Sequence, residues 1–254
     1  MSTVKTPYRI SFAGGGTDLL TYALVHGGHC IGCAINRCID LTLDNSGLVN
    51  SSDLERYSGL GGSSAYFAGL TRITYPHYTK AQIIDAVTYQ EKLGQQDQVL
   101  CVTGGLNEVT FNPNGTTIIK PIPLPYWLNE CMSIYYMGDR KTSGKNLLSG
   151  INIQALHDQK AIVPSMVKAL KESNFEDFVD ILQEAWAIKK GFRPDILTDH
   201  VKEFEATCQQ KGILALKLCG AGGGGYALLI REPSSKPRIG IPIKVDMSGQ
   251  VFIR

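Results

Sequence analysis

The residues whose types and spacing could do chemistry are, first of all, glycines gathered in short clusters. The chain has 27 glycines, and almost half of them fall into four short loops. These clusters are Gly14 to Gly16, Gly59 to Gly62, Gly104 with Gly105, and Gly220 to Gly225. Glycine permits positive φ and leaves room for backbone N–H groups to surround an anion. Four such clusters, each beside a predicted strand or helix, indicate loops that converge on a phosphorylated ligand.

The second cluster has the composition of a phosphate-binding loop. It reads Gly59-Leu60-Gly61-Gly62-Ser63-Ser64-Ala65 and leads into a helix predicted over 63–72. Glycine N–H groups, two hydroxyls and a helix N-terminus all favour phosphate. The segment lacks the lysine of a P-loop and the glycine spacing of a dinucleotide-binding turn. Taken alone, it is equally consistent with a glycine turn that has serine caps.

Composition excludes several classes of function. Lys and Arg number 25 against 23 Asp and Glu, a formal charge of +2, so there is no basic excess to bind nucleic acid. No apolar run approaches the roughly 18 residues of a membrane span, and the N-terminus lacks the pattern of a secretory signal. We therefore expect a soluble, cytoplasmic protein that binds neither nucleic acid nor membrane. Nothing in the sequence predicts its oligomeric state.

Seven cysteines raise the question of metal or redox chemistry. Cys30 and Cys33 form a C-x-x-C, but no second pair and no spaced histidines complete a tetrahedral set. Most of the seven stand in apolar, strand-like stretches, where reduced cysteine behaves as a small hydrophobe. We interpret them as buried thiols.

The elements that must position the glycine loops mix strands and helices without strict alternation, which indicates an α+β fold. We predict a strand over 4–13, a helix over 18–26 with Asp18 as its candidate cap, and an unpatterned stretch over 45–52. The other predicted elements are a hairpin of 29–35 with 38–43, helices over 79–93, 154–172, 175–190 and 199–211, and a second sheet that 241–245 and 251–253 complete. Pro121, Pro123 and Pro125 suggest a boundary between domains 1–125 and 126–254.

Four motifs, in order along the chain, resemble those of the GHMP kinases, the superfamily of galactokinase, homoserine kinase, mevalonate kinase and phosphomevalonate kinase. They are RISFAGGGTD at 9–18, the 59–65 loop, GQQDQ at 94–98 and CGAGGGGY at 219–226. The segments MGDRKTSGKNLL and EAWAIKK are most similar to the D-glycero-D-manno-heptose 7-phosphate kinase branch. The resemblance runs from about residue 5 to residue 231.

This resemblance implies a fold, an activity and its cofactors. The implied fold has an ATP-binding N-terminal domain like domain 2 of ribosomal protein S5 and a ferredoxin-like C-terminal domain, with the active site between them. The implied activity is transfer of the γ-phosphoryl group of ATP, in the presence of Mg²⁺, to a hydroxyl of a sugar or sugar phosphate. In the heptose branch the acceptor is the anomeric hydroxyl of a sugar 7-phosphate.

The resemblance also implies roles for single residues by their positions in the motifs. Asp97 matches a catalytic aspartate, and Arg9 matches an arginine near the transferred phosphate. The ATP phosphates are expected at Gly59, Leu60, Gly61, Gly62, Ser63, Ser64 and Ala65, with Ser63 also near Mg²⁺. The acceptor is expected at Gly14, Gly15, Gly16, Thr17, Asp18, Gly222, Gly223 and Gly224, with Arg140 and Lys141 on its phosphate.

The chain departs from the family pattern in two places. It is shorter between Leu43 and Ser52, where the family has part of its nucleotide pocket, and again before Gly94. The family glutamate that binds Mg²⁺ matches Tyr89, and Glu91 is a possible substitute one helical step away. Two alternatives therefore stay open. One is a fuco- or galactokinase-like enzyme on an unphosphorylated sugar, and the other is a non-catalytic sugar or nucleotide sensor on the same fold.

Overall fold

A computed structural model of the chain describes residues 1–55, 58–92, 94–138, 150–236 and 239–253, and it contains two antiparallel sheets with packed helices. The strands are β1 (Ser2–Ala13), β2 (Gly28–Asp44), β3 (Gly47–Ser52), β4 (Leu106–Phe111), β5 (Thr117–Pro121), β6 (Met132–Tyr136), β7 (Ala215–Leu218), β8 (Tyr226–Ile230), β9 (Ile241–Pro242) and β10 (Val251–Ile253). The helices are α1 (Leu20–His26), α2 (Gly62–Thr74), α3 (Lys80–Glu91), α4 (Gln96–Thr103), α5 (Leu128–Cys131), α6 (Ile153–Ala161), α7 (Val163–Lys171), α8 (Phe175–Lys190) and α9 (Asp199–Gln210).

The first sheet is built mainly from the N-terminal half of the chain. Its order is β10-β1-β2-β4-β5, and β3 pairs with the C-terminal half of β2. The predicted hairpin of 29–35 with 38–43 is wrong, because β2 is one strand of 17 residues. β1 pairs with both halves of β2, so the polar residues Asn36 and Arg37 interrupt the apolar pattern without turning the chain.

Two irregularities in the β1–β2 ladder bracket the segment from Arg9 to Ser11. The register shifts between Pro7 and Arg9, and again between Ser11 and Ala13. Bulges of this kind bend a strand, re-aim its side chains and are common beside functional sites. They set the direction in which Arg9 leaves the sheet.

Two strands lie where the sequence pattern gave the wrong expectation. β3 forms within the stretch that was predicted to be unpatterned, since an edge strand with little buried surface needs no apolar alternation. β10 pairs with β1 and so joins the first sheet, not the second as predicted for 251–253. A bridge between Ile35 and Val245 begins this return to the first sheet. The boundary near residue 125 stays a prediction.

The second sheet has the order β7-β8-β6-β9 and packs against the later helices. The helix predicted over 154–172 is in fact two helices, α6 and α7, that meet at Ile162. Pro164 lies in the first turn of α7, where proline is tolerated, whereas inside one long helix it would remove a hydrogen bond. Within the described ranges, no helix combines the length and apolar character that crossing a membrane requires.

An aromatic cluster joins the two halves of the molecule. Phe12 of β1 meets Phe178 of α8 edge to face, with ring centroids 5.3 Å apart, and Phe178 lies 5.1 Å from the ring of Trp127. All three side chains are at most 1% exposed. The cluster therefore fixes α8 against the strand that carries Arg9.

Phe178→Ala should destabilise the protein by about 3–5 kcal/mol, because it leaves a cavity between β1 and α8. Urea unfolding followed by circular dichroism measures the change in free energy of unfolding. Tyr126→Ala is the matched control, since Tyr126 is 80% exposed beside the same cluster and its loss should cost less than about 0.5 kcal/mol. Equal effects of the two substitutions would contradict the proposed core.

Candidate active site

The 59–65 loop ends at an open helix N-terminus. Gly61 is the N-cap of α2, with φ of 75°, and no side chain caps the first turn of this helix in the described chain. A Cβ at this position would lie 3.0 Å from Cγ of Arg9, so the left-handed φ and the close contact both require glycine. The free N–H groups of the first turn form a site that suits an anion.

Glu91, at the end of α3, reaches this helix N-terminus. Its carboxylate accepts a hydrogen bond from the Ser64 hydroxyl and also interacts with the hydroxyl of Ser63. Burial raises the pKa of Glu91, and the serine hydroxyls act in the opposite direction. Tyr89, the residue matched to the family glutamate, is 80% exposed and lies against Lys92. The structure therefore places Glu91, not Tyr89, beside the 59–65 loop.

Arg9 and Asp97 form a pair next to the same loop. Arg9 is only 3% exposed, and its Nε and Nη2 each donate to Oδ1 of Asp97 at 2.7 Å. Its third nitrogen, Nη1, donates to the carbonyl of Gly59 at 2.6 Å. Burial opposes the charge of Arg9, but Asp97 and its hydrogen bonds raise the pKa above the ordinary value. The pair and the loop are thus one connected unit.

Asp18 fixes the helix that carries Asp97. The sequence predicted Asp18 as the cap of the helix over 18–26, but α1 begins after Leu19, and none of the described side chains caps it. Oδ2 of Asp18 instead accepts the N–H of Gln96, the first residue of α4, at 3.0 Å. Burial, and secondarily the charge of Asp97, raises the pKa of Asp18. Asp18 is a helix cap, as predicted, but it caps α4 and not the helix expected over 18–26, because its partner Gln96 lies 78 residues along the chain.

The turn before Asp18 is held tightly by backbone contacts. Thr17 is fully buried, and its hydroxyl donates toward the carbonyls of Gly14 and His29 at 2.8 and 2.9 Å. The N–H of Gly14 donates to Oε1 of Gln159 on α6 at 3.2 Å. A shallow pocket opens beside Asp18, with Gln95 and Thr117 in its lining. Of the residues predicted for the acceptor, Asp18 is the one that lines this pocket.

The 220–225 loop reaches the 59–65 loop from the second sheet. Its glycines at 220 and 222–225 all have positive φ. At its end, the N–H of Tyr226 donates to the carbonyl of Ser58 at 2.8 Å. Gly222 has a left-handed φ of 88°, and a Cβ there would lie within a tight 3.1 Å of the side chain of Ile196. The structure therefore brings together the motifs at 9–18, 59–65, 94–98 and 219–226, whereas Arg140 and Lys141 lie outside the described residues.

Two buried lysines at this junction were missed by the sequence analysis. Nζ of Lys189 donates to the carbonyls of Leu218 and Gly220, at the start of the 220–225 loop. Nζ of Lys217, on β7, donates to the carbonyl of Ser11 at 2.8 Å. The available signal for Lys217 was a single lysine inside the apolar run ILALKLC.

The cysteines are consistent with buried thiols. Six of the seven are buried, and Cys38 is partly exposed. Burial raises the pKa of the thiols of Cys30, Cys33 and Cys101, which leaves them protonated and unreactive at neutral pH. Among the residues the structure describes, no group of three His, Cys, Asp or Glu side chains could hold a metal ion.

Comparison with known proteins agrees with this geometry. Residues 166–239 match the family described as GHMP kinases C terminal. The crystal structure of a D-glycero-D-manno-heptose 1-phosphate kinase from Bacteroides thetaiotaomicron superposes with a TM-score of 0.78 at 19% identity, and covers 100% of this chain and 99% of that one. Residues 166–239 are therefore similar to the C-terminal domain of GHMP kinases, and the chain has the GHMP kinase fold. The predicted resemblance and the α+β fold class are confirmed.

Two curated relatives are also similar in sequence. The D-glycero-alpha-D-manno-heptose 7-phosphate kinase of Campylobacter jejuni is 23% identical, over 93% of this chain and 91% of the relative. The L-fucokinase/L-fucose-1-P guanylyltransferase of Bacteroides fragilis is 26% identical, over 46% of this chain and 14% of the relative. The comparisons support the prediction of an enzyme of the kinase class, and the identity of its acceptor is taken up below.

Gly94→Ala should displace Asp97 indirectly, through Asp18. An added Cβ would lie 2.2 Å from Oδ2 of Asp18, which forces the carboxylate away from the N–H of Gln96. We expect a loss of about 1–2 kcal/mol in the free energy of unfolding, as for a lost helix cap, together with a lower kcat. Gly191→Ala is the control, because Gly191 has an ordinary φ of −79° and an added Cβ would approach only the carbonyl of Ile188, at 3.2 Å, and no residue of the site. An unchanged kcat in Gly94→Ala would argue against the role of Asp18.

Proposed function

We propose that the protein is an ATP-dependent sugar kinase that transfers the γ-phosphoryl group of ATP to a sugar hydroxyl. The observation that carries this proposal is the ion pair of buried Arg9 with partly exposed Asp97, attached to the carbonyl of Gly59. It combines a carboxylate, a fixed cation and an open helix N-terminus within one connected unit. Those are the parts that phosphoryl transfer needs, since catalysis there depends on positioning and electrostatic stabilisation.

In this proposal, Asp97 accepts or orients the proton of the attacking sugar hydroxyl. Its side chain is 34% exposed, so that a substrate can reach the carboxylate while Arg9 holds it from the buried side. The guanidinium of Arg9 also offsets negative charge as the phosphoryl group moves. The 59–65 loop binds the ATP phosphates through the N–H groups of the first turn of α2.

Mg²⁺ fits the donor set beside the loop. Protein sites for Mg²⁺ in phosphoryl transfer commonly supply one or two carboxylates, and substrate phosphates and water complete the shell. Glu91 and the hydroxyl of Ser63 provide such a set at the helix N-terminus. When bound, the ion would neutralise charge on the phosphates. The presence of Glu91 here favours an enzyme over a non-catalytic sensor.

The acceptor we propose is D-glycero-D-manno-heptose 7-phosphate, phosphorylated at its anomeric hydroxyl. The name of the Campylobacter jejuni relative and its coverage of both chains support this choice. The sugar would contact Asp18, the turn at Gly14 to Gly16 and the glycines at 222–224, and Arg140 with Lys141 would bind its 7-phosphate. A fucokinase-like reaction on an unphosphorylated sugar is the second candidate, since the Bacteroides fragilis relative matches 46% of this chain.

Asp97→Asn should lower kcat by about 10²–10⁴, the usual contribution of a general base, while Kd for ATP changes little. The substitution keeps the shape of the side chain and removes its charge and basicity. Single-turnover phosphoryl transfer measured beside calorimetric ATP binding separates the two quantities. Asp85→Asn, on the exposed side of α3, serves as the control. Transfer at the wild-type rate by Asp97→Asn would remove Asp97 from the mechanism.

Glu91→Gln should raise the Mg²⁺ concentration needed for half-maximal rate by about tenfold or more. The amide oxygen still accepts the hydrogen bond from Ser64, so the fold should be preserved and only the charge lost. Steady-state rates at fixed ATP and varied Mg²⁺ measure the effect, with Glu172→Gln at an exposed site as the control. An unaltered Mg²⁺ dependence would show that Glu91 does not hold the ion.

A further inference from the structure

Lys217 is a buried cation that connects the two sheets. It stands on β7 of the second sheet and is 4% exposed. Its ammonium group donates to the carbonyl of Ser11 on β1 of the first sheet, with Nζ and O 2.8 Å apart. Ser11 lies between the two register shifts of β1, two residues from Arg9. The lysine therefore ends at the same short segment that carries the Arg9–Asp97 pair.

The same segment also contacts the helix of Asp97. The hydroxyl of Ser11 donates to Oε1 of Gln96 at 3.2 Å, and Gln96 precedes Asp97 at the start of α4. Ser11, which Lys217 contacts, is therefore linked to both members of the pair, to Arg9 along β1 and to Asp97 through Gln96. At the end of β7, the ammonium group of Lys189 donates to the carbonyls of Leu218 and Gly220.

The surroundings of Lys217 contain too little negative charge to balance a buried ammonium group. Across the described parts of the chain, no carboxylate oxygen lies within 4.0 Å of its ammonium group. The titratable groups that face it are Arg9 from β1, Cys30 from β2 and Cys219 just after β7. Burial, and secondarily the charge of Arg9, lowers the pKa of Lys217 to about 8.

A buried ammonium without a carboxylate is costly, and an incoming anion removes part of that cost. In the proposed function, the anion that binds at the neighbouring 59–65 loop is a phosphate group of ATP. Binding of phosphate beside Arg9 would favour the charged form of Lys217, because an opposite charge stabilises an ammonium group. An exposed lysine would not change its protonation when phosphate binds, since water already solvates its ammonium group.

We propose that Lys217 is a proton-linked cation of the nucleotide site: it takes up a proton when the phosphates of ATP bind and then acts with Arg9 as a second fixed positive charge. This inference rests on the proposed function, because it requires that a nucleotide binds at the 59–65 loop. The proton moves from solvent to Nζ of Lys217, and no covalent bond of the nucleotide changes in this step.

Calorimetry tests the inference directly. The non-hydrolysable analogue β,γ-imido-ATP is titrated with Mg²⁺ into the full chain at a pH of about 8, in two buffers of different ionisation enthalpy. The difference in observed heat gives the number of protons taken up. Because burial lowers the pKa of Lys217 to about 8, part of the amine is unprotonated at that pH, and we expect uptake of a fraction of a proton per bound nucleotide.

Three variants show whether Lys217 is the group that titrates. Lys217→Arg keeps a permanent charge, so affinity should stay within about threefold of wild type and the proton uptake should disappear. Lys217→Met should lose both the uptake and about tenfold or more in affinity. Lys190→Met is the control on α8, because Lys190 is partly exposed and pairs with Glu205, and its uptake should equal that of wild type. Thermal unfolding confirms that each variant is folded.

The possible failures are distinguishable. Wild type that binds the nucleotide without proton uptake, or Lys217→Arg that retains the wild-type uptake, would overturn the role of Lys217 and leave the kinase proposal intact. Wild type that does not bind the nucleotide at all would contradict the proposed function, and with it this inference.

Discussion

The buried guanidinium of Arg9 is the constraint on which the site depends. A charged group that is only 3% exposed must have its donors satisfied, since an unpaired buried charge costs several kcal/mol. Arg9 meets this requirement with Asp97 of α4 and with the carbonyl of Gly59. Its own backbone N–H also donates to the carbonyl of Leu60 at 2.9 Å. Three segments that are distant in sequence are thus obliged to meet at one side chain.

Other features of the fold maintain this meeting point. The two register shifts in β1 aim Arg9 away from the sheet, and Asp18 fixes the first turn of α4 so that Asp97 faces it. From the second sheet, Lys217 reaches Ser11, Lys189 fixes the start of the 220–225 loop, and Tyr226 binds Ser58. The aromatic cluster at Phe178 keeps α8 in place beneath them. The site therefore depends on both sheets, which explains why its residues come from four separate motifs.

Local patterns in the sequence predicted much of this arrangement. The helices predicted over 63–72 and 79–93 correspond to α2 and α3, because the residues that begin each helix are neighbours in the chain. The motif order also predicted that Arg9, Asp97 and the glycine loops would lie together, and this holds for the clusters at 14–16, 59–62 and 220–225. The fourth cluster was predicted wrongly, because Gly104 and Gly105 pack against residues 246–249. The continuity of β2 was missed because the pairing strand β1, not the local pattern, decides where β2 ends.

The remaining errors concern long-range partners. Asp18 caps a helix 78 residues away, β10 crosses from the end of the chain to β1, and the carbonyls that hold Lys189 and Lys217 belong to other segments. Such pairings are set by tertiary packing, which intrinsic propensity does not encode. Glu91 illustrates the same limit, since its position relative to Ser63 and Ser64 depends on how α3 packs against α2.

The measurement that tests the central claim most directly is sugar-dependent release of ADP by the purified protein with ATP and Mg²⁺, across a panel of free and phosphorylated sugars. An ATP-dependent sugar kinase should release ADP only when its acceptor is present, with the highest kcat/KM for the heptose 7-phosphate, and phosphorus NMR should show a new phosphate on the anomeric carbon. Equal activity on free and phosphorylated sugars would contradict the heptose 7-phosphate as acceptor and leave the kinase intact. Binding of ATP and sugar without release of ADP for any member of the panel would contradict the claim and indicate a sensor.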